Sequence, residues 1–142
     1  MKKYSANKEL EDILLKFGFI ETTDKRDQLK GKKEFRLSKY GQKRIYFDYI
    51  NIIVIQKFHM YSLGTSITLD NIVIILLYFT LKSNDQKELF YDGSFTLDNA
   101  ANHLNSIKKE YADLEKYNLH RPRREKLKRI IEKSEELRNK IL

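Results

Sequence analysis

The sequence predicts an α+β fold: a helix, a small antiparallel sheet of three or four strands, a buried apolar helix, and a C-terminal antiparallel helical hairpin. Three observations carry this expectation. Apolar and polar residues alternate from Glu34 to Ser38 and again from Lys43 to Asp48, the two-residue period of a half-buried strand. The run Ile72-Val73-Ile74-Ile75-Leu76-Leu77-Tyr78-Phe79 is apolar throughout and follows a helix-start signal at Thr68-Leu69-Asp70-Asn71. From Leu97 onward, apolar residues recur in alternating steps of three and four along two long segments, the spacing of one helical face.

The elements follow in order. Ser5 reads as an N-cap for a first helix whose Leu10, Ile13, Leu14 and Phe17 share a face, and Gly18 supplies its C-terminal stop. Phe19 to Thr23 reads as a short strand and Asp24 to Lys33 as a polar turn or loop. Tyr40-Gly41-Gln42 leads into a β-rich stretch from Lys43 to Phe58. There Ile45, Phe47 and Tyr49 point one way, and Arg44, Tyr46 and Asp48 the other. Ile52-Ile53-Val54-Ile55 reads as buried on both faces; one long bulged strand and two paired strands both fit.

The tetrad Thr-Leu-Asp-Asn occurs at 68–71 and again at 96–99, each time with Thr placed to cap a helix and Asp in its first turn. Asp70 and Asp98 are accordingly read as helix-start residues. The first tetrad tips Ile72 to Phe79 towards helix, although its β-branched residues also permit a strand. Leu97, Ala100, Leu104, Ile107, Tyr111 and Leu114 form one seam, and Leu127, Ile130, Ser134, Leu137 and Ile141 a second. The short break Asn118-Leu119-His120-Arg121-Pro122, with proline suited to a helix's first turn, joins them into a hairpin. The expected organisation is a body over 1–83, a connection over 84–95, and a hairpin over 96–142 packed on the body as one structural unit. The expected core includes Phe35, Leu37, Ile45, Phe47, Ile53, Ile74 and Leu77.

A length of 142 residues with 41% hydrophobic content is enough to bury a core. The absence of cysteine excludes a disulfide framework and a thiolate zinc site. No apolar run is long enough to span a bilayer, and charged residues rather than an apolar stretch follow Met1-Lys2-Lys3-Tyr4-Ser5. No signal peptide and no membrane partner are expected, and the setting reads as cytoplasmic. His59, His103 and His120 are too scattered to form a metal-binding motif, and no phosphate-cradling glycine loop or nucleophile elbow occurs. A strand-borne nuclease site using Asp48 and Lys57 would need a carboxylate where Ile55 stands. The chain therefore reads as a non-enzyme without cofactors or metals.

The formal net charge is +8 and is unevenly placed. Residues 24–44 carry nine basic side chains against three acidic, residues 121–142 nine against four, and residues 83–120 an excess of three acids. Six of the nine residues from Arg121 to Arg129 are basic: Arg121, Arg123, Arg124, Lys126, Lys128 and Arg129. Cations at a helix N-terminus oppose its dipole, Arg121/Glu125 and Lys128/Glu132 run in the poorer basic-first order, and Arg124/Lys128 repel. Local rules broken without visible compensation mark functional sites, and the simplest compensation is an anionic partner.

The order helix, three strands, helix resembles the layout of double-stranded-RNA-binding domains and of HicA-type mRNA interferase toxins, the likeness to the toxins covering about the first half of the chain and carried by Leu14-Leu15-Lys16-Phe17-Gly18-Phe19 and Gly31-Lys32-Lys33-Glu34-Phe35. The toxin family places its catalytic histidine where Lys32 or Lys33 stands, and the double-stranded-RNA family opens its second helix with basic residues rather than Thr68 to Asn71. The resemblance thus implies at most an inactive or divergent RNA-processing domain.

The leading expectation is a basic binding protein that engages nucleic acid, RNA in preference to DNA, or a nucleoprotein. Its composition is similar to that of phage and mobile-element accessory proteins, which makes an anti-CRISPR-like inhibitor of a host nucleoprotein machine a concrete version. The candidate surfaces are the strand face Arg36, Arg44 and Tyr46 with the loop Lys30, Lys32 and Lys33, and the basic start of the last helix. The alternative is a structural module that docks on an acidic protein surface or forms a homodimer through the hairpin.

Overall fold

The computed structural model describes residues 3–5, 8–22, 33–38, 41–47, 52–56, 59–64, 66–90 and 95–142. The chain divides into two compact units, residues 1–69 and 70–142. The fold is α+β, as the alternation and the helical seams predict.

In the first unit, β1 (Lys3–Ser5) precedes α1 (Lys8–Lys16), so Ser5 belongs to a strand and does not cap the helix. Helix α1 ends as Gly18 requires. That glycine takes φ +86°, its N–H donates to the Leu15 carbonyl, and the Phe19 N–H donates to the Leu14 carbonyl. Strands β2 (Ile20–Glu21), β3 (Lys33–Arg36), β4 (Lys43–Phe47), β5 (Ile52–Gln56) and β6 (His59–Ser62) form an antiparallel meander with neighbours in sequence order. The sheet thus has five strands where three or four were expected, and the β-rich stretch is two paired strands. A further strand, β7 (Ser66–Thr68), pairs with β1 in a separate two-stranded ribbon, Tyr4 opposite Ile67.

Register sorts the side chains of the sheet. Phe35 faces Ile45, Ile45 faces Val54, and these three are fully buried with Ile52. Lys33 lies on the same side as Phe35 and its ammonium bonds Glu11 of α1 at 3.0 Å. That bond places α1, with its buried Leu10 and Leu14, over the core face. Ile53 and Ile55 take the opposite face and are only half-buried, so the stretch is not buried on both sides as expected. Leu37 is likewise half-buried because β3 ends at Arg36 and the alternation no longer directs it inward. The expected positions at residues 24–32, 48–51 and 57–58, and the side chain of Phe47, lie outside the described residues.

In the second unit, α2 (Leu69–Thr80) is a helix with every residue from Ile72 to Tyr78 buried. Full burial on all sides outweighs the strand preference of its β-branched residues. Helix α3 (Ser83–Leu89) occupies much of the expected connection. Helices α4 (Leu97–Lys116) and α5 (Arg121–Ile141) form the hairpin, with Ala100, Leu104, Ile107 and Leu114 buried on one and Leu127, Ile130, Ser134 and Leu137 on the other. Thr96 occupies the N-cap position of α4, but its side chain makes no capping bond. Asp98 keeps its place in the first turn, where the dipole favours a carboxylate. Tyr78 packs against Phe90 and Phe95 at ring-centroid distances of 5.0 and 4.8 Å, which ties the end of α3 and the residue before the N-cap of α4 to α2.

Candidate nucleic-acid interface

The first surface is the open face of the sheet. Alternation along β4 puts Arg44 and Tyr46 on the side opposite Ile45, and pairing sets Tyr46 across from Glu34 on β3. Arg36, two residues beyond Glu34, shares this side, so the structure brings together Arg36, Arg44 and Tyr46. The register adds Ile53 beside Tyr46, then Ile55 and Met60 beside Arg44. Met60 is 66% exposed and Ile20, opposite Arg36, is 49% exposed. The face is therefore a mixture of guanidinium groups, one phenol ring and accessible aliphatic side chains.

Glu34 organises this face. Its carboxylate accepts hydrogen bonds from Arg44 at 3.0 Å, from Arg36 at 3.4 Å and from the Thr22 hydroxyl at 2.7 Å. Burial works against ionisation of Glu34, but the Thr22 hydroxyl and the two guanidinium groups prevail and hold its pKa below the usual carboxylate value. Arg36 also donates to the Gly41 carbonyl at 2.9 Å, while its buried Nε has no hydrogen-bond partner among the described residues. Two fixed guanidinium groups share one carboxylate here, which leaves a residual positive charge. Sequence reasoning missed Glu34, although its two-residue spacing from Arg36 on an alternating strand carried the signal.

Lys33 does not join this face. It begins β3 instead of ending a loop, and its ammonium is turned to the core side and held by Glu11, whose hydrogen bond raises its pKa. Lys30 and Lys32 lie outside the described residues. On the core side too, Lys43 is partly buried, and desolvation lowers its pKa to about 8.

The second surface is the start of α5, and here the expectation of missing internal compensation is corrected. Arg123 donates to Glu88 of α3 at 2.7 Å and to Glu110 of α4. Lys126 reaches Glu88 at 3.4 Å and Arg129 reaches Asp85 at 3.0 Å. Arg121 pairs with Glu125 at 3.1 Å, Lys128 with Glu132 at 3.8 Å, and Arg124 donates to the Asn118 side chain. The hydrogen bond from Arg123 leads the effects that lower the Glu88 pKa, against the opposing effect of burial. The acid excess of residues 83–120 was the sequence signal for these bonds, but local spacing does not reveal which acid meets which base.

The apolar seams proposed for a homodimer are largely buried within the chain itself. The hairpin exposes large apolar side chains at its end, Leu142 at 76%, and at its tip, Tyr117 at 62% and Leu119 at 47%, the latter two not singled out by the sequence. Elsewhere in this unit a cleft of about 220 Å³ has an apolar floor of Val73, Ile74 and Leu104, with an ion pair between Asp70 and Arg138 at its lining. Among the described residues, no group of three or more His, Cys, Asp or Glu side chains could hold a metal ion. His103 meets the Leu89 carbonyl through Nδ1 at 3.2 Å, a packing role. No helix among the described residues is long and apolar enough to cross a membrane.

Comparison of the chain with protein-family models, with curated proteins and with solved structures finds no match.

Proposed function

We propose that this protein is a non-enzymatic binding protein that engages nucleic acid, RNA in preference to DNA, through the open face of its sheet. The observation that carries this reading is the convergence of Arg36, Arg44 and Tyr46 on one face, with Glu34 holding both guanidinium groups. Guanidinium groups already fixed in place lose little freedom on pairing with phosphates. The Tyr46 ring, two residues along β4 from Arg44 and opposite Glu34, offers an unpaired base a stacking surface beside the two guanidinium groups, with Ile53 next to it on β5. Unpaired bases are the usual target of such a sheet, which favours RNA over duplex DNA.

The test is fluorescence anisotropy of the full chain with labelled single-stranded RNA, duplex RNA and duplex DNA across a salt series. Single-stranded RNA should bind most tightly, with affinity falling steeply as salt rises. Arg36→Gln with Arg44→Gln should weaken binding and flatten the salt slope by about 0.7 for each phosphate no longer neutralised. Equal binding by the double variant, once shown to be folded, would remove this face from the interface.

A second reading has its own observation. The exposure of Ile20 and Met60 on the same face favours docking on a protein. Affinity purification with and without nuclease separates the two: a protein partner retained after nuclease treatment, and insensitive to salt, favours docking.

A further inference from the structure

We propose that the tip of the helical hairpin is a second contact for single-stranded RNA, in which Tyr117 stacks on an unpaired base while Lys116 and Arg124 hold the flanking phosphates. The inference rests on the RNA-binding function proposed for the sheet face and extends it to a site of different construction.

The tip departs from the body of α4 and α5 in exposing an aromatic ring and a leucine side by side. Along α4 and α5 the buried positions are apolar apart from Ser134, yet Tyr117 and Leu119 stand in solvent where the helices meet. Nothing in the closure of the turn requires an aromatic ring there. The backbone alone ends α4: Asn118 takes φ 51°, its N–H donates to the Glu115 carbonyl at 3.2 Å, and the Leu119 N–H donates to the Leu114 carbonyl at 2.9 Å. His120 then takes φ 45° and starts α5. The turn is thus fixed by its backbone, and Tyr117 projects from a preformed platform.

The cations divide into two groups. Arg123, Lys126 and Arg129 are bound to carboxylates of α3 and α4, which spends their charge inside the chain. Arg124 bonds a neutral amide, that of Asn118, and the Lys116 ammonium sits 5.3 Å from the centroid of the Tyr117 ring. The Lys116 ammonium thus lies beside the exposed ring and Arg124 is tied to the residue that follows it, and among the described residues neither is bound to a carboxylate. An exposed ring with one cation beside it and a second tied to the next residue suits a base and its phosphates, and every base offers a face for stacking. A protein partner would instead call for a broader apolar patch than one ring and one leucine supply.

The experiment uses the full chain and a fluorescein-labelled oligouridylate of about 12 nucleotides, within the usual length range for one single-strand site. Tyr117→Ala should weaken binding about 5- to 150-fold, and Tyr117→Phe should restore it, because the ring and not the hydroxyl does the stacking. Arg124→Gln should lower the salt slope by about 0.7. Circular dichroism and thermal melting should be unchanged for all three variants. If Tyr117→Ala binds as the parent does while Arg36→Gln with Arg44→Gln weakens binding, the tip inference fails and the sheet reading stands. The opposite pattern upholds the tip and removes the sheet face. Absence of binding by the parent chain overturns both. A loss in Tyr117→Phe equal to that in Tyr117→Ala, or a loss of stability that accounts for the weaker binding, overturns the stacking role.

Discussion

Arg129 donates two hydrogen bonds to the carboxylate of Asp85, from Nη2 at 3.0 Å and from Nε at 3.3 Å, and so fastens α5 to α3. Asp85 is only 7% exposed, which makes the fork more consequential than a surface pair. Removing the guanidinium leaves a nearly buried carboxylate without this charged partner. Arg129→Gln should therefore lower the thermal midpoint clearly, and Arg129→Lys should only partly restore it, because an ammonium cannot reproduce the fork. A double-mutant cycle with Asp85→Asn should show coupling between the two sites. Additive effects would mean that the pair contributes nothing of its own.

Charge reversal should sort the basic residues of α5 by their partners. Arg123→Glu places a third carboxylate beside Glu88 and Glu110 and should destabilise the fold, by the repulsion as well as by the broken bonds. Reversing Arg124 and Lys128 to glutamate should leave stability within roughly 0.5 kcal/mol, as for surface substitutions without a buried partner. Urea unfolding of the variants measures the contrast. Equal destabilisation by both would place Arg124 and Lys128 in the structural network as well.

Leu77 is fully buried in α2. Leu77→Ala should cost on the order of 2–5 kcal/mol, the sum of the forfeited transfer energy and a cavity that rigid neighbours do not close. Chemical denaturation gives the value, and a cost near zero would contradict its burial.

Lys43 should give the protein a pH-dependent weakness. Its folded pKa of about 8 lies below the ordinary 10.5, so burying the charged ammonium costs stability at every pH below 8. The cost shrinks as pH rises from about 8 to 10.5, where the folded state has released its proton and the unfolded state has not. Full desolvation would set the penalty near ~3 kcal/mol, and partial exposure reduces it to on the order of 1–2 kcal/mol. Lys43→Met should be more stable than the parent by that amount at pH 7, with the gain fading above pH 8. A gain independent of pH would assign the effect to packing.

His120 holds a left-handed backbone conformation without being glycine. Such a residue costs roughly 1–2 kcal/mol, partly offset by the greater unfolded-state freedom of glycine. His120→Gly should stabilise the protein by about 0.5–1 kcal/mol, measured by thermal unfolding. Destabilisation would mean that the imidazole makes interactions that outweigh the strain.

The legible parts of this fold are those written at short range. The apolar run of α2, the two seams of the hairpin, the stop at Gly18 and the shared side of Arg44 and Tyr46 all follow from periods of two or about four residues. What the sequence hides depends on distant partners. The strand at Ser5 exists only because Ser66 pairs with it, and three residues carry too little pattern to announce a strand. The bonds from Arg123 to Glu88 and from Arg129 to Asp85 cross 35 and 44 residues. A reading that scores each helix alone sees those arginines as misplaced, whereas the fold uses them as ties between helices. The candidate sheet face was legible in its cations and its ring, but not in Glu34, because a single acid between two bases looks like ordinary surface composition.

The pairing of β1 with β7 has a mechanical consequence. Antiparallel register sets Lys3 beside Thr68, so both ends of the first unit leave from the same end of one short ribbon. Tension applied between the chain's start and α2 would therefore peel the ribbon open one rung after another, from Lys3 towards Ser5, instead of shearing all its rungs together. A clasp loaded in this way yields at low force, and the five-stranded meander behind it would be pulled only after the clasp had opened.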